Sequence, residues 1–334
     1  MRAAVFKKLH HPLQMEILPD PTPRDGEVLI NVSRCGICGS DLHMVEEPAF
    51  GLAPGSILGH EFAGEVIGKG RGVERLKLGD RVSVSPLRGC GHCLSCLIGE
   101  AAWCPNMSHQ GGGYGELAVA SERQCVVLPS ALSDTDGAIV EPLAVALHGV
   151  SLSGIQPADK VIVVGAGPIG LSAAFWARRH GASRVLVIDI LAFQEKRALQ
   201  MGATDFLSGS LDPVGDAERI LGGKADIVFE CVGAPGLIAQ SINQVRIKGT
   251  VVVLGLCTKT DNFVPFTAIS KEVRIQMSAF FTHQEYHVAL DVLDAGAVEP
   301  RLMITNTIAL DTVPEVFESL KHRSGQCKVI ISIN

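Results

Sequence analysis

The sequence predicts an α/β fold, a doubly wound parallel sheet joined to a β-rich domain. Three observations carry this. A strand, glycine turn, helix, strand and acid follow one another from Val161 to Asp189. From there to Phe280 apolar strand-like runs alternate with helical patterns, the signature of a parallel sheet. The N-terminal part instead sets short alternating strands between Gly and Pro turns, and it contains four closely spaced cysteines.

Length and composition bound the possibilities. A chain of 334 residues suggests two domains, and 47% hydrophobic residues suffice for sizeable cores. A net charge of −6 with 19% charged residues points to neither a nucleic-acid nor a membrane surface. No apolar run reaches the roughly 18 residues of a membrane helix. The start, MRAAVFKKLHHPLQ, lacks the apolar core of a signal peptide. Ten cysteines in such a chain read as metal ligands or free thiols, and a cytoplasmic protein is expected.

In chain order, strand-like runs at Arg2 to Phe6, Leu13 to Ile17 and Glu27 to Val32 are separated by Pro19, Pro21, Pro23 and Gly26. Further strands at Glu61 to Ile67 and Arg81 to Val84 lie in a glycine-rich stretch. Cys90, Cys93, Cys96 and Cys104 follow. Four thiolates this close can surround a tetrahedral Zn²⁺ with no position left for water, which makes the site structural. An iron–sulfur cluster needs the same donors, and spacing does not separate the two. A nucleic-acid-reading zinc ribbon lacks support, because Arg88 is the only Lys or Arg between residues 82 and 122. A second, dispersed set comprises Cys38, His60, Glu61 and Glu141. Taken singly, Cys38 reads as a buried small hydrophobe and His60 as a satisfied histidine; brought together, they would leave one zinc position open, the mark of a catalytic site.

Residues 137 to 154 read as a helix between the domains. The β-branched run Val161 to Val164 then meets Gly165-Ala166-Gly167-Pro168-Ile169-Gly170. In such a turn Gly165 permits the sharp reversal, Gly167 lets a pyrophosphate approach the backbone, and Gly170 lets the helix pack close to the sheet. Asp189, ending the next strand, is placed to accept both ribose hydroxyls of a dinucleotide. This is a Rossmann pattern. Strands at Arg184 to Ile190, Ala225 to Val232, Gly249 to Leu256 and Glu272 to Phe280 continue it, with helices at Phe193 to Met201 and Gly236 to Val245. Val232 and Leu254 fall at strand ends on the expected nicotinamide side. Helices at Glu285 to Ala295 and Val313 to Lys321 and a strand at Lys328 to Ile331 close the chain.

The order CGICGSDLH, GHE, four-cysteine lobe, EP and VGAGPIG resembles the zinc-dependent medium-chain dehydrogenase/reductases over essentially the whole chain, and within them the polyol branch of sorbitol, L-idonate, threonine and 2,3-butanediol dehydrogenases. The resemblance implies a GroES-like catalytic domain over 1–151 and 282–334 and a Rossmann domain over 152–281. It implies Cys38 and His60 as catalytic-zinc ligands, Glu141 in place of a cysteine ligand, and Glu61 as a ligand or a carboxylate just behind the zinc. It implies Ser40 as acceptor of the alcohol proton, Asp41 as the carboxylate orienting His60, and His43 as the outer end of a relay through the cofactor ribose. Gly112 to Ala118 resembles the family's GGYAEY strand entry and reads as a structural turn. Two zinc ions per subunit, a small alcohol or ketone substrate and a homodimer or homotetramer follow by the same resemblance. NAD is expected over NADP because Ile190 and Leu191 after Asp189 offer no cation, although Lys196 and Arg197 stand on the following helix. One departure bears on substrate: Ala279-Phe280-Phe281-Thr282 stands where sorbitol and idonate dehydrogenases tend to have an arginine, which disfavours sugar alcohols and favours a diol or a less polar alcohol. The alternatives are a zinc-independent reductase of activated double bonds and a silent nucleotide-binding protein.

Overall fold

The computed structural model describes residues 1–322 and 325–333. The chain divides into two compact units: Met1–Glu141 with Thr282–Ala297 and Ile304–Asn334, and Pro142–Phe281 with Val298–Met303.

The first unit is built on a seven-stranded sheet. Its main path runs Ile304–Ala309, Lys328–Ser332, Glu27–Gly36, Glu61–Lys69, Arg81–Val84, Cys125–Val127, and Leu117–Ser121 also pairs with Glu27–Gly36. Period-two patterning drives it: Val28, Ile30 and Val32 point to the core with Phe62, Val66, Val82, Val84 and Ile331. The register has a direct consequence for chemistry. Gly36 pairs with Glu61 on one side and with Ile330 on the other. A Cβ at Gly36 would lie 2.0 Å from Glu61 Oε2, so the glycine clears the path by which Glu61 crosses towards the terminal strand. The cysteine lobe carries only the short helix Leu94–Leu97 and the 3₁₀ turn Ala101–Trp103. Leu94, Leu97, Ile98 and Trp103 are all exposed there, so apolar burial does little to hold the lobe together.

The second unit contains a six-stranded parallel sheet in the order Asp205–Leu207, Arg184–Ile188, Lys160–Val164, Ala225–Glu230, Val245–Val253, Arg274–Met277. Numbered along the chain this is 3-2-1-4-5-6, the dinucleotide-binding order. Several boundaries differ from expectation. The strands expected to reach residues 190, 232, 256 and 280 stop at Ile188, Glu230, Val253 and Met277, because each apolar run continues into the turn beyond its strand. The helix expected over 137–154 is two, Asp134–Ala138 and Val140–Ser153. That expected from Phe193 to Met201 is α-helical over Glu195–Gln200, after a 3₁₀ turn. The short strand Asp205–Leu207 and the helix Pro213–Leu221 are additional to the expected elements. The latter is signalled by Asp212, whose side chain accepts from the Gly215 amide at 3.0 Å, by Pro213 in the first turn and by left-handed Gly222 at its end.

Candidate metal and cofactor sites

Within the first unit, ligand atoms of Cys38, His60 and Glu61 all lie within 4.8 Å of one another. Local structure sets each one. Cys38 caps the short helix Gly39–Met44, which carries Ser40, Asp41 and His43 in its first turns. His60 and Glu61 follow Gly59, whose φ of +82° suits glycine and whose absent Cβ would meet the Tyr114 ring at 2.3 Å. Asp41 is fully buried and well satisfied: it receives hydrogen bonds from Tyr114 Oη at 2.7 Å and the Cys38 amide at 3.2 Å, and its Oδ1 lies 3.2 Å from His60 Nδ1. Burial alone would raise the Asp41 pKa, but His60 and these donors hold it below the usual carboxylate range. With Nδ1 engaged, His60 Nε2 is the nitrogen free to face a metal. Burial pulls the His60 pKa down, yet Asp41 and Cys38 outweigh it and raise the net value well above the ordinary one. The cluster thus favours positive charge among its donors, which is what a thiolate, imidazole and carboxylate set offers to Zn²⁺.

Glu61 reaches past Gly36 to Lys328. Lys328 Nζ donates to both Glu61 oxygens, at 2.7 and 2.6 Å, and to the Ile37 carbonyl at 3.1 Å, with both side chains almost wholly buried. Glu141, in the first turn of the helix Val140–Ser153, is buried but outside the close group of three. Its pKa is pushed up to about 7, by burial first, with His60 opposing and Glu61 adding to the rise. Ser40 Oγ donates to Cys38 Sγ at 3.2 Å, and His43 is half-buried further along the same helix.

The four sulfurs of Cys90, Cys93, Cys96 and Cys104 also lie within 4.8 Å of one another, Cys90 and Cys96 at 4.0 Å. Main-chain amides point at them: Cys93 N to Cys90 Sγ at 3.4 Å, and Cys90 N and Asn106 N to Cys104 Sγ at 3.3 Å each. The His92 and Cys93 amides pull the Cys90 pKa down to about 6, whereas burial and the neighbouring thiols push Cys96 up to about 12. A central cation resolves that conflict by favouring thiolate at all four positions.

In the second unit Gly165 has φ +101°, and a Cβ on Gly170 would sit 1.9 Å from the Gly165 carbonyl oxygen. Both glycines are therefore required by the turn and the close helix. Gly167 is different: a Cβ there would meet no protein atom within 4 Å. It begins the helix Pro168–Arg179, with Pro168 and Ile169 half-exposed beside it. Open space over a glycine at a helix N-terminus fits the approach of a pyrophosphate. Asp189 ties the turn together, Oδ2 accepting from the Ala166 amide at 2.7 Å and Oδ1 from the Leu191 amide at 2.9 Å. Val232 packs over Gly165, and Leu254 over Gly149. Glu230 joins the two strand ends, accepting from the Val232 and Gly233 amides through its side chain and from Leu254 and Gly255 through its carbonyl.

Three residues of the site carry little signal in the sequence. Lys328 opens a strand and looks like an ordinary solvated lysine. Tyr114 belongs to the structural turn Gly112 to Ala118. His109, whose ring meets His60 edge-on at 4.6 Å, has no motif around it. The GGY glycines were the one usable signal, since a fully buried tyrosine needs a partner for its hydroxyl.

A thiolate–imidazole–carboxylate group, a four-thiolate lobe and a dinucleotide turn together define a zinc- and nicotinamide-dependent dehydrogenase. Residues 24–130 match the alcohol dehydrogenase GroES-like domain and residues 168–295 the zinc-binding dehydrogenase domain. D-xylulose reductase A of Aspergillus niger is 32% identical over 341 residues, covering 97% of this chain and 95% of its own. Among solved structures, 2R,3R-butanediol dehydrogenase from Bacillus subtilis is 30% identical with a TM-score of 0.89, covering 100% of this chain and 99% of its own. A protein described as a zinc-binding dehydrogenase, from Sinorhizobium meliloti and bound to NADP, is 31% identical with a TM-score of 0.91 and 99% coverage of both chains. The chain belongs to the zinc-type alcohol dehydrogenase family, in its polyol dehydrogenase branch. It is an oxidoreductase acting on a small-molecule alcohol with zinc and a nicotinamide cofactor. No helix among the described residues is long and apolar enough to cross a membrane.

Proposed function

We propose that the protein oxidises a secondary alcohol to a ketone, reversibly, with NAD as hydride acceptor, and that it holds two zinc ions per subunit. The observation carrying this is the convergence of Cys38, His60 and Glu61 beneath the buried Asp41. Cys38, His60 and Glu141 hold the catalytic ion, the fourth position is shared between Glu61 and the alcohol, and Cys90, Cys93, Cys96 and Cys104 hold the structural ion. When bound, zinc supplies a Lewis acid that lowers the pKa of the alcohol oxygen, and nicotinamide supplies the hydride acceptor. Ser40 Oγ accepts the proton leaving that oxygen, and His43 passes it outward. Asp41 fixes the tautomer and the orientation of His60. Lys328 holds the Glu61 carboxylate in place through both of its oxygens.

In the second unit, Gly165, Gly167, Pro168, Ile169 and Gly170 form the pyrophosphate turn, Asp189 binds the adenosine ribose, and Val232 and Leu254 line the nicotinamide side. Preference for NAD rests on the Asp189 carboxylate, which would face a 2′-phosphate with like charge, and on the absence of a cation at 190 and 191. Phe280 and Phe281 in place of an arginine support a diol or a less polar hydroxy compound over a sugar alcohol. A homodimer or homotetramer in the cytoplasm completes the reading. It is supported by the sheet-edge strand Arg274–Met277, with Met277 exposed, and by exposed Val264, Phe266 and Ile269. The experiment is a panel of secondary alcohols, diols, sugar alcohols and their ketones, each with NAD(H) and NADP(H), followed by nicotinamide absorbance. Turnover of a diol with NAD⁺ is expected. Activity confined to activated double bonds would replace this function with the reductase alternative.

A further inference from the structure

We propose that His283 and His287 form a third metal site, for a borderline divalent ion such as Zn²⁺ or Ni²⁺, separate from both zinc positions above. The two histidines stand four residues apart on the helix His283–Asp294 and so share one face. Their Nε2 atoms lie 3.1 Å apart, with ring centroids at 4.6 Å and planes at 79°. Two nitrogens bound to one ion at about 2.0–2.1 Å subtend roughly 3 Å between them, so the rings already stand at a chelating separation.

The helix that presents them is held from three sides. Thr282 caps it, its hydroxyl accepting from the Glu285 amide at 3.2 Å while the Glu285 carboxylate accepts from the Thr282 amide at 2.8 Å. Tyr286, between the two histidines in sequence but facing the core, has its hydroxyl 2.6 Å from Ser83 Oγ. The His283 amide donates to the Gly99 carbonyl of the cysteine lobe at 2.7 Å. The pair shares no residue with the Cys38, His60 and Glu61 group or with the four-cysteine lobe. Two imidazoles with the remaining positions open to water select borderline transition ions over Mg²⁺ or Ca²⁺. Binding there braces the first two turns of the helix, and by mass action it stabilises the unit as free metal rises.

The test is equilibrium dialysis of the purified protein, with its tightly held zinc in place, against rising free Zn²⁺, followed by metal analysis. Wild type gains one further zinc per chain, accompanied by a rise in Tm. His283→Ala and His287→Ala each weaken that uptake on the order of 10²-fold, the scale for losing one of two linked binding groups. The double variant loses both the uptake and the Tm response while keeping its tightly held zinc and its far-ultraviolet spectrum. His283→Gln and His287→Gln serve as conservative replacements should an alanine variant lose its fold. Mg²⁺ at the same concentration changes nothing. Equal zinc uptake by wild type and double variant, or no further uptake by wild type, would overturn the proposal and leave a pair of hydrogen-bonded histidines.

Discussion

Lys328→Met deprives the Glu61 carboxylate of its buried cationic partner while keeping the bulk of the side chain. Both groups are 1% exposed, so solvent does not replace the lost charge. Removing one member of a buried pair costs about 3–5 kcal/mol, mostly the penalty of the charge left behind. The Ile37 carbonyl also loses its 3.1 Å donor, which adds about 1 kcal/mol. In a unit of this size, that lowers Tm on the order of 10 °C in metal-free protein. The loss shrinks when zinc is restored, because the metal offers Glu61 another positive charge. Differential scanning calorimetry of wild type and variant at neutral pH, metal-free and with zinc restored, measures this. Glu61→Gln combined with Lys328→Met recovers most of the loss, since no charge is then stranded. A single variant within about 1 kcal/mol of wild type at neutral pH, with no recovery in the double, would refute the reasoning.

Three further outcomes are expected. Glu141 has a folded-state pKa raised from its ordinary 4.5 to about 7, so the folded state binds its proton more tightly; the stability it contributes below pH 4.5 is lost as pH rises towards 7, to the extent of about 3 kcal/mol. Urea unfolding of metal-free wild type across that range shows this slope, and Glu141→Gln removes it. Ser40→Ala lowers kcat by about 10²-fold with the zinc content unchanged, measured where chemistry limits the rate; full kcat there would remove Ser40 from the proton path. Asp189→Ser loses most of the preference for NAD⁺ over NADP⁺ in kcat/KM, chiefly through weaker NAD⁺ binding, and a wild type that prefers NADP⁺ would turn attention to Arg197.

What the sequence revealed and what it hid divide by chain separation. The four-cysteine lobe and the turn from Gly165 to Gly170 are local, and their residue types alone specify the chemistry. The helix Gly39–Met44 is too short for periodicity to signal it, although its residues stand out by resemblance. The supports of the site were hidden. Lys328 lies 267 residues from Glu61, Tyr114 lies 73 from Asp41, and Tyr286 lies 203 from Ser83. Each pair meets because sheet order and register bring it together, and no window along the chain carries that information. Gly36 illustrates the point: as a residue it looks like one more turn glycine, and its necessity emerges only when Glu61 is found paired across from it. Strand ends were overrun for a related reason, since apolar residues at 190, 232 and 256 serve turns past the sheet.

The central claim is that hydride leaves an alcohol carbon at the Cys38, His60 and Glu61 site. The most direct measurement is transfer of deuterium from a C-deuterated secondary alcohol to the nicotinamide ring, by wild type and by Cys38→Ser, with zinc content determined on the same samples. Wild type is expected to place the label on the ring. Cys38→Ser is expected to keep the zinc of the four-cysteine lobe and its fold while transferring none. Label transferred by Cys38→Ser at the wild-type rate would contradict the account.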